Sequence, residues 1–551
     1  MDFLAIISFV GFTLLVAIIA WYATRKTDEK SADGYFLAGR SLGAITIAGS
    51  ILLTNLSAEQ IVGLNGQAFT EGVLVMAWET LAAIAMIITA IFLLPKYMKG
   101  GITTIPQFVE NRFDHQTKAI LTILFLSGYV LVVLPSVLYS GSLAFSTMFD
   151  IPQILGISQN ATIWVCVWSI GIIGIIYAVF GGLKAVVVSD LINAIGLIIG
   201  GLLVPVFGLM LIGDGNLMDG LDILWKENPE KFNVKGGVDA SIPFGTVFTG
   251  MMLVQMFYWG TNQAILQRVF GAKNLKEGQK GMILAALAKF LIPIIVVLPG
   301  IIAWHIFNGD LENPDQAYPQ LVKTVLPTVF TGFFAAVLFG AVLSSFNSLL
   351  NSSATLFGFD LYKQYFKKNA SEKQVVKAGK IFGLVLGILG MCVAPLIANA
   401  PNGLFAWLQE ANGCYSIPIL TVIVIGFFTK RVPAIAAKVG VISGVVLYSI
   451  SQFIIKPRFI EKALIEAQQN GITDVHALNV IQAEAYPHFL HVMAILFVLN
   501  IIIMLVIGKL YPRDTDYVPM QTDDLNITPW KYAIVAGILI TILVLSTYLI
   551  F

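Results

Sequence analysis

Apolar stretches of about twenty residues recur from one end of this chain to the other, each long enough to cross a bilayer core of ~30 Å as an α-helix. Hydropathy marks about fourteen such spans, at roughly 3–23, 42–67, 72–97, 119–148, 160–180, 183–212, 243–271, 281–308, 326–361, 376–398, 402–429, 433–455, 487–508 and 529–551. Charged residues make up 12% of the 551, against ~25% in soluble proteins, and the mean hydropathy is +0.84. The fold class is therefore an all-α polytopic membrane protein. A formal net charge of +1 offers no basic face, so no nucleic-acid partner is expected. Cys166, Cys392 and Cys414 all fall within spans and lack metal-ligand spacing.

Topology follows from charge. Asp2 precedes the first apolar core while Arg25 and Lys26 follow it, the reverse of a secretory signal, so 3–22 reads as a retained helix. Cations gather on alternate loops: Arg25, Lys26, Lys30 and Arg40, then Lys96, Lys99, Arg112 and Lys118, then Arg268, Lys273, Lys276 and Lys280, with two further groups beyond Lys363 and Lys430. The positive-inside rule then puts both termini outside the cytoplasm. With no long soluble domain or targeting segment, the expected setting is a bacterial inner membrane.

Two spans are polar at their midpoints. The second carries Thr54-Asn55-Leu56-Ser57-Ala58-Glu59-Gln60, and the seventh carries Gln255-Met256-Phe257-Tyr258-Trp259-Gly260-Thr261-Asn262-Gln263. A charge at membrane depth costs at least ~2.5 kcal/mol, so such groups face a cavity or a partner. Small polar residues also compete with helical hydrogen bonding. Both spans are read as helices broken at mid-membrane, the device transporters use to bind ions and solutes. Their separation is odd in number of spans, so they run in opposite directions, as an inverted repeat of five plus five helices requires. The organisation expected is a first helix and linker over 1–41, one repeat over 42–212, an outer loop at 213–242, the second repeat over 243–429, and three further helices over 430–551 with an outer loop at 457–486.

Glu79 and Lys289 lie deep in their spans and are expected to pair, and Asp190 sits near a span end. If both broken helices line one cavity, Gln60, Glu79, Gln255 and Gln409 converge there with the rings of Trp78, Tyr258 and Phe405. Amides and a carboxylate bond neutral hydroxyls, and rings cover the apolar faces of a sugar. No Arg fork is present to receive an acid. Ala341, Ser344, Ser345, Ser348 and Ser352 share one helix face. That face suits either a dehydrated Na⁺ or plain helix packing. Asn55-Leu56-Ser57 is a sequon at membrane depth, His488 and His491 lack further ligands, and no Walker sequence supports a nucleotide-driven pump.

The chain resembles the solute:sodium symporter family, in particular its bacterial sodium/galactose branch, over nearly its whole length. The resemblance rests on Gly34-Tyr35-Phe36-Leu37-Ala38-Gly39-Arg40-Ser41-Leu42, Asn55-Leu56-Ser57-Ala58-Glu59-Gln60, Gly181-Gly182-Leu183-Lys184-Ala185-Val186 with Asp190, Tyr258-Trp259 to Asn262-Gln263 with Gln267-Arg268, and Ser344-Ser345 with Asn351-Ser352. It implies a LeuT-like fold and Na⁺ as the coupling ion, held by carbonyls of Leu53, Leu56 and Ala341 and hydroxyls of Ser344 and Ser345. It implies a sugar site of Gln60, Glu79, Gln255, Lys289 and Gln409, with Tyr258 the inner ring, Asn55 coupling ion to sugar, and Asp190 on the ion exit route. Gln255, Trp78 and Ala82 stand where that branch has Asn, Tyr and Ser, which leaves the sugar open. The absence of a further hydroxyl near Ala341 implies one Na⁺ per sugar. The expected function is Na⁺-coupled uptake of a small neutral sugar across the lipid bilayer. The alternatives are a same-fold symporter for a polyol, sialic acid or amino acid, or a passive channel or sensor. No nucleophile–base pair or metal set at membrane depth suggests an enzyme.

Overall fold

The computed structural model describes residues 3–24, 32–399, 404–519 and 525–550, with the backbone alone at 3, 24, 32–33, 178–182 and 398–399. Arg25, Lys26 and Lys30, expected in the first cationic loop, lie outside the described residues. The described chain is helical throughout apart from turns and one isolated bridge, Leu42 to Ala272. Eleven of its helices are long and apolar enough to cross a membrane, and a twelfth candidate is the pair Leu275–Leu291 with Pro293–Ile306, bent by 46°. The difference from about fourteen has a physical source in the interrupted spans. Gly250–Gly260 and Gln263–Phe270 are each too short to cross alone. The second half of the first broken helix runs on into the next span as one stretch, Ala58–Lys99, while its first half, Ala44–Asn55, has only 12 residues.

Both breaks fall where the sequence places polar residues. Ala44–Asn55 ends as the Leu56 N–H donates to Leu52 O at 2.7 Å, and Ser57 is extended (φ −88°, ψ −176°) before Ala58–Glu71 begins. A helix end withdraws its last carbonyls from the ladder, so those of Leu53, Thr54 and Asn55 are left for other partners. In the second, the Thr261 N–H donates to Phe257 O at 2.9 Å, and the Asn262 side chain accepts the Ala264 N–H at 2.9 Å. Asn262 thus caps its second half-helix with its side chain, whereas the Ser57 hydroxyl at the first break turns to the Glu59 carboxylate.

The helical run Gln159–Ile212 holds two spans, Gln159–Tyr177 and Leu183–Ile212. Gly174 packs on Phe346 and Gly196 on Val337. On a straight helix those glycines would be ~33 Å apart but their partners only ~14 Å, so the run doubles back. Three π-helical turns, Thr89–Leu93, Tyr129–Val133 and Ser451–Ile455, end two residues before Pro95, Pro135 and Pro457. Proline lacks the N–H that its helix needs, and the wider turn accommodates the missing bond.

Gly72 turns the chain between Glu71 and the next helix. Its φ of +79° and ψ of −148° belong to a region essentially reserved for glycine, and a Cβ there would stand 2.2 Å from Lys231 O. The Lys231 ammonium in turn donates to the carbonyls of Phe69 at 3.0 Å and Thr70 at 2.6 Å, 3.4 Å from the Trp304 ring centroid. Burial pushes this lysine down to about 8, with Glu230 and Glu71 opposing. Gly72→Ala is expected to cost at least ~1–3 kcal/mol in strain alone, before the clash. Yield and unfolding temperature in detergent read it, and wild-type values would contradict the role given to this turn.

Candidate functional site

The two breaks meet at a cavity of about 80 Å³ inside the bundle. Thr54, Asn55, Glu59 and Gln60 line it from the first broken helix, and Gln255, Tyr258, Trp259 and Asn262 from the second. Trp78, Glu79 and Ala82 come from the Ala77–Ile88 helix, Lys289 from Leu275–Leu291, Ser345 from Thr328–Thr355, and Gln409 and Asn412 from Leu404–Phe428. Small-molecule sites run to ~300 Å³ or more, so these walls are drawn in close.

Lys289 is wholly buried and donates to both Glu79 Oε2 and Asn55 Oδ1, with the Trp259 ring centroid 5.4 Å away. The expected Glu79–Lys289 pair is therefore present, and Asn55 joins it from the break. The helix bends at Pro293, whose missing N–H leaves the Lys289 carbonyl outside the ladder. Gln255 is fixed at both ends: Nε2 donates to Trp78 O at 2.7 Å and Oε1 accepts the Trp259 Nε1–H at 3.1 Å. Gln60 Oε1, by contrast, is buried without a partner among the described residues. Ser57 donates to the Glu59 carboxylate.

The residues expected to hold sodium lie beside this cavity. Leu53, Leu56, Ala341, Ser344 and Ser345 are all buried, and Ser345 Oγ donates to Thr54 O at 2.9 Å, pinning the serine face onto the break. Ser344 Oγ is buried beside the Asp190 carboxylate, to which it can donate, and its lone pairs have no partner among the described residues. An all-oxygen donor set with free hydroxyl lone pairs and freed carbonyls fits a hard monovalent cation.

Asp190 stands apart from the cavity, in a buried network. It accepts from Ser50 Oγ at 2.6 Å, Ser50 accepts from Arg268 Nε at 2.9 Å, and Arg268 lies 3.9 Å from the carboxylate. Arg268 also donates to Ala264 O and Ser348 Oγ. Arg268 thus ties Ala44–Asn55 and Gln263–Phe270, one half of each broken helix, to the serine helix. The sequence reading quoted it without seeing it as the partner of Asp190.

Phe405 is the expected cavity residue that the structure places elsewhere. Its ring meets Trp78 edge-on at 5.4 Å between centroids, and the pair roofs the cavity. Above the roof lies a wider vestibule of about 880 Å³, lined by Phe405 and Trp78 with Gln67, Glu71, Asp315, Glu410 and Lys456. Phe405 meets the vestibule side of the roof, whereas Gln409, one turn further along the same helix, reaches the cavity. Two cavity residues escaped the sequence reading. Tyr129 donates to Asn262 Oδ1 at 2.9 Å and accepts the Ala264 N–H at 3.1 Å, and Asn412 lines the wall. Pro135, mid-span after the Tyr129 π-turn, was the available signal for the first; nothing marked the second.

Two interrupted helices closing on a polar chamber within an apolar bundle define a membrane transporter of LeuT-like fold. The model of the "Sodium:solute symporter family" matches residues 35–444, and the chain belongs to that family. It is 46% identical over 548 residues to an uncharacterized symporter, YidK, of Escherichia coli K12, covering all of this chain and 91% of that one. It is 34% identical to the sodium/glucose cotransporter of Vibrio parahaemolyticus, over 80% of this chain and 84% of the relative. It is 28% identical to the mouse sodium/myo-inositol cotransporter, over 79% of this chain and 64% of that protein. In fold it matches a substrate-bound, outward-open Na⁺-coupled sialic acid symporter with a TM-score of 0.73 at 20% identity, covering 93% of this chain and 100% of the other. The protein is a multi-pass membrane transporter and not an enzyme, and sodium is its coupling ion.

Proposed function

We propose that the chain takes up a neutral monosaccharide by sodium symport with alternating access, one Na⁺ per sugar. The observation that carries this is the shared chamber of the two breaks, with Gln60, Glu79, Gln255, Lys289 and Gln409 under the rings of Trp78 and Tyr258. Amides on opposite walls, one with an unused buried carbonyl, suit a guest that both donates and accepts hydrogen bonds. The only cation in the chamber, among the described residues, is already committed to Glu79 and Asn55, which disfavours an anionic guest. The relatives that print glucose and myo-inositol in their names favour a polyhydroxylated solute. A polyol is the second reading, favoured by the relative named for myo-inositol.

In this reading the fold is a five-plus-five inverted repeat of about fourteen spans, with halves at 42–212 and 243–429 and both termini outside a bacterial inner membrane. Sodium on Leu53, Leu56, Ala341, Ser344 and Ser345 would brace the first break, and Asn55 would pass that order to Lys289 and Glu79. Asp190 would lie on the route by which the ion leaves. One Na⁺ entering down ~100 mV and a tenfold gradient drives about 500-fold accumulation.

Proteoliposomes under an imposed sodium gradient test both parts. A competition panel of hexoses, polyols, amino acids and sialic acid is expected to show displacement by neutral hexoses first. Displacement only by sialic acid or an amino acid would overturn the sugar assignment. Ser344→Ala combined with Ser345→Ala is expected to remove sodium-driven uptake, and unchanged sodium dependence would overturn the ion assignment.

A further inference from the structure

The vestibule wall contains a bridge that neither the cavity nor the ion site accounts for. Asp315, in the short turn Pro314–Gln316, is buried and accepts the Leu404 N–H on Oδ2 at 3.1 Å. Leu404 is the first described residue of the helix that carries Phe405 to the roof and Gln409 to the cavity. On its other side the same turn presses on the second half of the first broken helix. A Cβ on Gly66 would lie 2.8 Å from Pro314 O and 3.0 Å from Asp315 Oδ1. One turn lower, Gly63 lets Phe405 approach equally closely, with Cβ to Cβ at 2.9 Å were a Cβ present. Asp315 therefore spans the seam between the two walls that the roof closes.

We infer that Asp315 is the positioning residue of the outer gate: by holding the start of the Leu404–Phe428 helix against Gly66, it keeps Phe405 seated on Trp78 above the cavity. The residue touches neither solute nor ion, and it acts through Leu404 and Phe405. A carboxylate on a helix N-terminus is a strong acceptor, which suits a latch made by one bond. Burial pushes Asp315 up to about 6, with the Leu404 bond opposing. It is thus ionised above about pH 6 and loses its charge, and some of its grip, as pH falls through that value. The groups facing it are Glu71 and Tyr139 from neighbouring helices, Glu312 on its own loop, Glu410 beyond Leu404, and Asp239, Lys456 and His488 across the vestibule. Asparagine at 315 removes only one of these titrations.

The test reads the gate without any solute, so it stands apart from the identity of the sugar. Ala82→Cys places a thiol on the cavity wall, and its modification by a membrane-impermeant methanethiosulfonate reports roof opening, corrected by the parent lacking that thiol. Asp315→Ala is expected to speed modification about tenfold, the loss of one charge-assisted bond. The rate with aspartate divided by the rate of Asp315→Asn at the same pH cancels the ionisation of the thiol and of the other facing groups, and that ratio should rise between about pH 7.5 and about pH 5.5. Asp315→Ala at the unaltered rate, or an aspartate-to-asparagine ratio that does not change with pH, would overturn the assignment. Should the alanine variant fail to fold, the isosteric asparagine decides alone.

Discussion

Lys289→Met is expected to be the most damaging single change in the cavity. The ammonium is wholly buried and holds two groups at once, Glu79 from one helix and Asn55 from the break. Removing it leaves the Glu79 carboxylate charged, 1% exposed and without its counterion. Breaking one partner out of a buried pair costs about 3–5 kcal/mol, a large part of a typical margin of stability. Replacing both partners is different, because no uncompensated charge remains. Lys289→Met with Glu79→Gln should therefore recover most of the lost unfolding temperature. It should not recover sodium-driven uptake, because the link from Asn55 to the amide wall is gone. Detergent melting curves and proteoliposome uptake, taken on the same preparations, separate the two effects. A single mutant as stable as wild type would show that Glu79 is neutral or solvated, and the pairing would lose its force.

The features legible in the sequence were those that stand out against an apolar background. Residues 54–60 and 255–263 announced both breaks, since amides and a carboxylate at mid-span have no place in an unbroken lipid-facing helix. Glu79 and Lys289 announced each other for the same reason, each being too costly to leave unpaired. Relations that depend on rotation and register were not legible. Phe405 and Gln409 lie one helical turn apart, so which meets the vestibule and which the cavity depends on the depth at which their helix is docked, and the Asp315 contact to the Leu404 N–H that bears on it comes from 89 positions away. Arg268 and Asp190 are 78 positions apart, 268 against 190, and meet only because the run Gln159–Ile212 doubles back beside these half-helices. Lys231 sat in a loop of mixed charge that gave no hint of its partners. It caps the second half of the first broken helix, through carbonyls a sequence does not display as special.

Arg268 should give the second large effect, by a different route. Its guanidinium serves the Ser50 hydroxyl, the Ala264 carbonyl and the Ser348 hydroxyl while lying 3.9 Å from Asp190, and both charged side chains are wholly inaccessible to solvent. Arg268→Ala strips a buried carboxylate of its counterion and separates three helices where they meet, so a loss of about 3–5 kcal/mol is expected. Lysine is not a substitute, because a single ammonium cannot reproduce a planar fork serving several acceptors, and Arg268→Lys should recover little of the loss. Asp190→Asn on the Arg268→Gln background removes both charges and should recover the part of the loss that comes from the uncompensated carboxylate, though not the part that comes from the lost fork. If Asp190 lies on the ion's way out, that charge-free pair should still bind sodium, measured as sodium-dependent thermal stabilisation, while its turnover is slowed. Sodium stabilisation lost together with turnover would move Asp190 into the binding site itself. Wild-type turnover would remove it from the ion's path altogether.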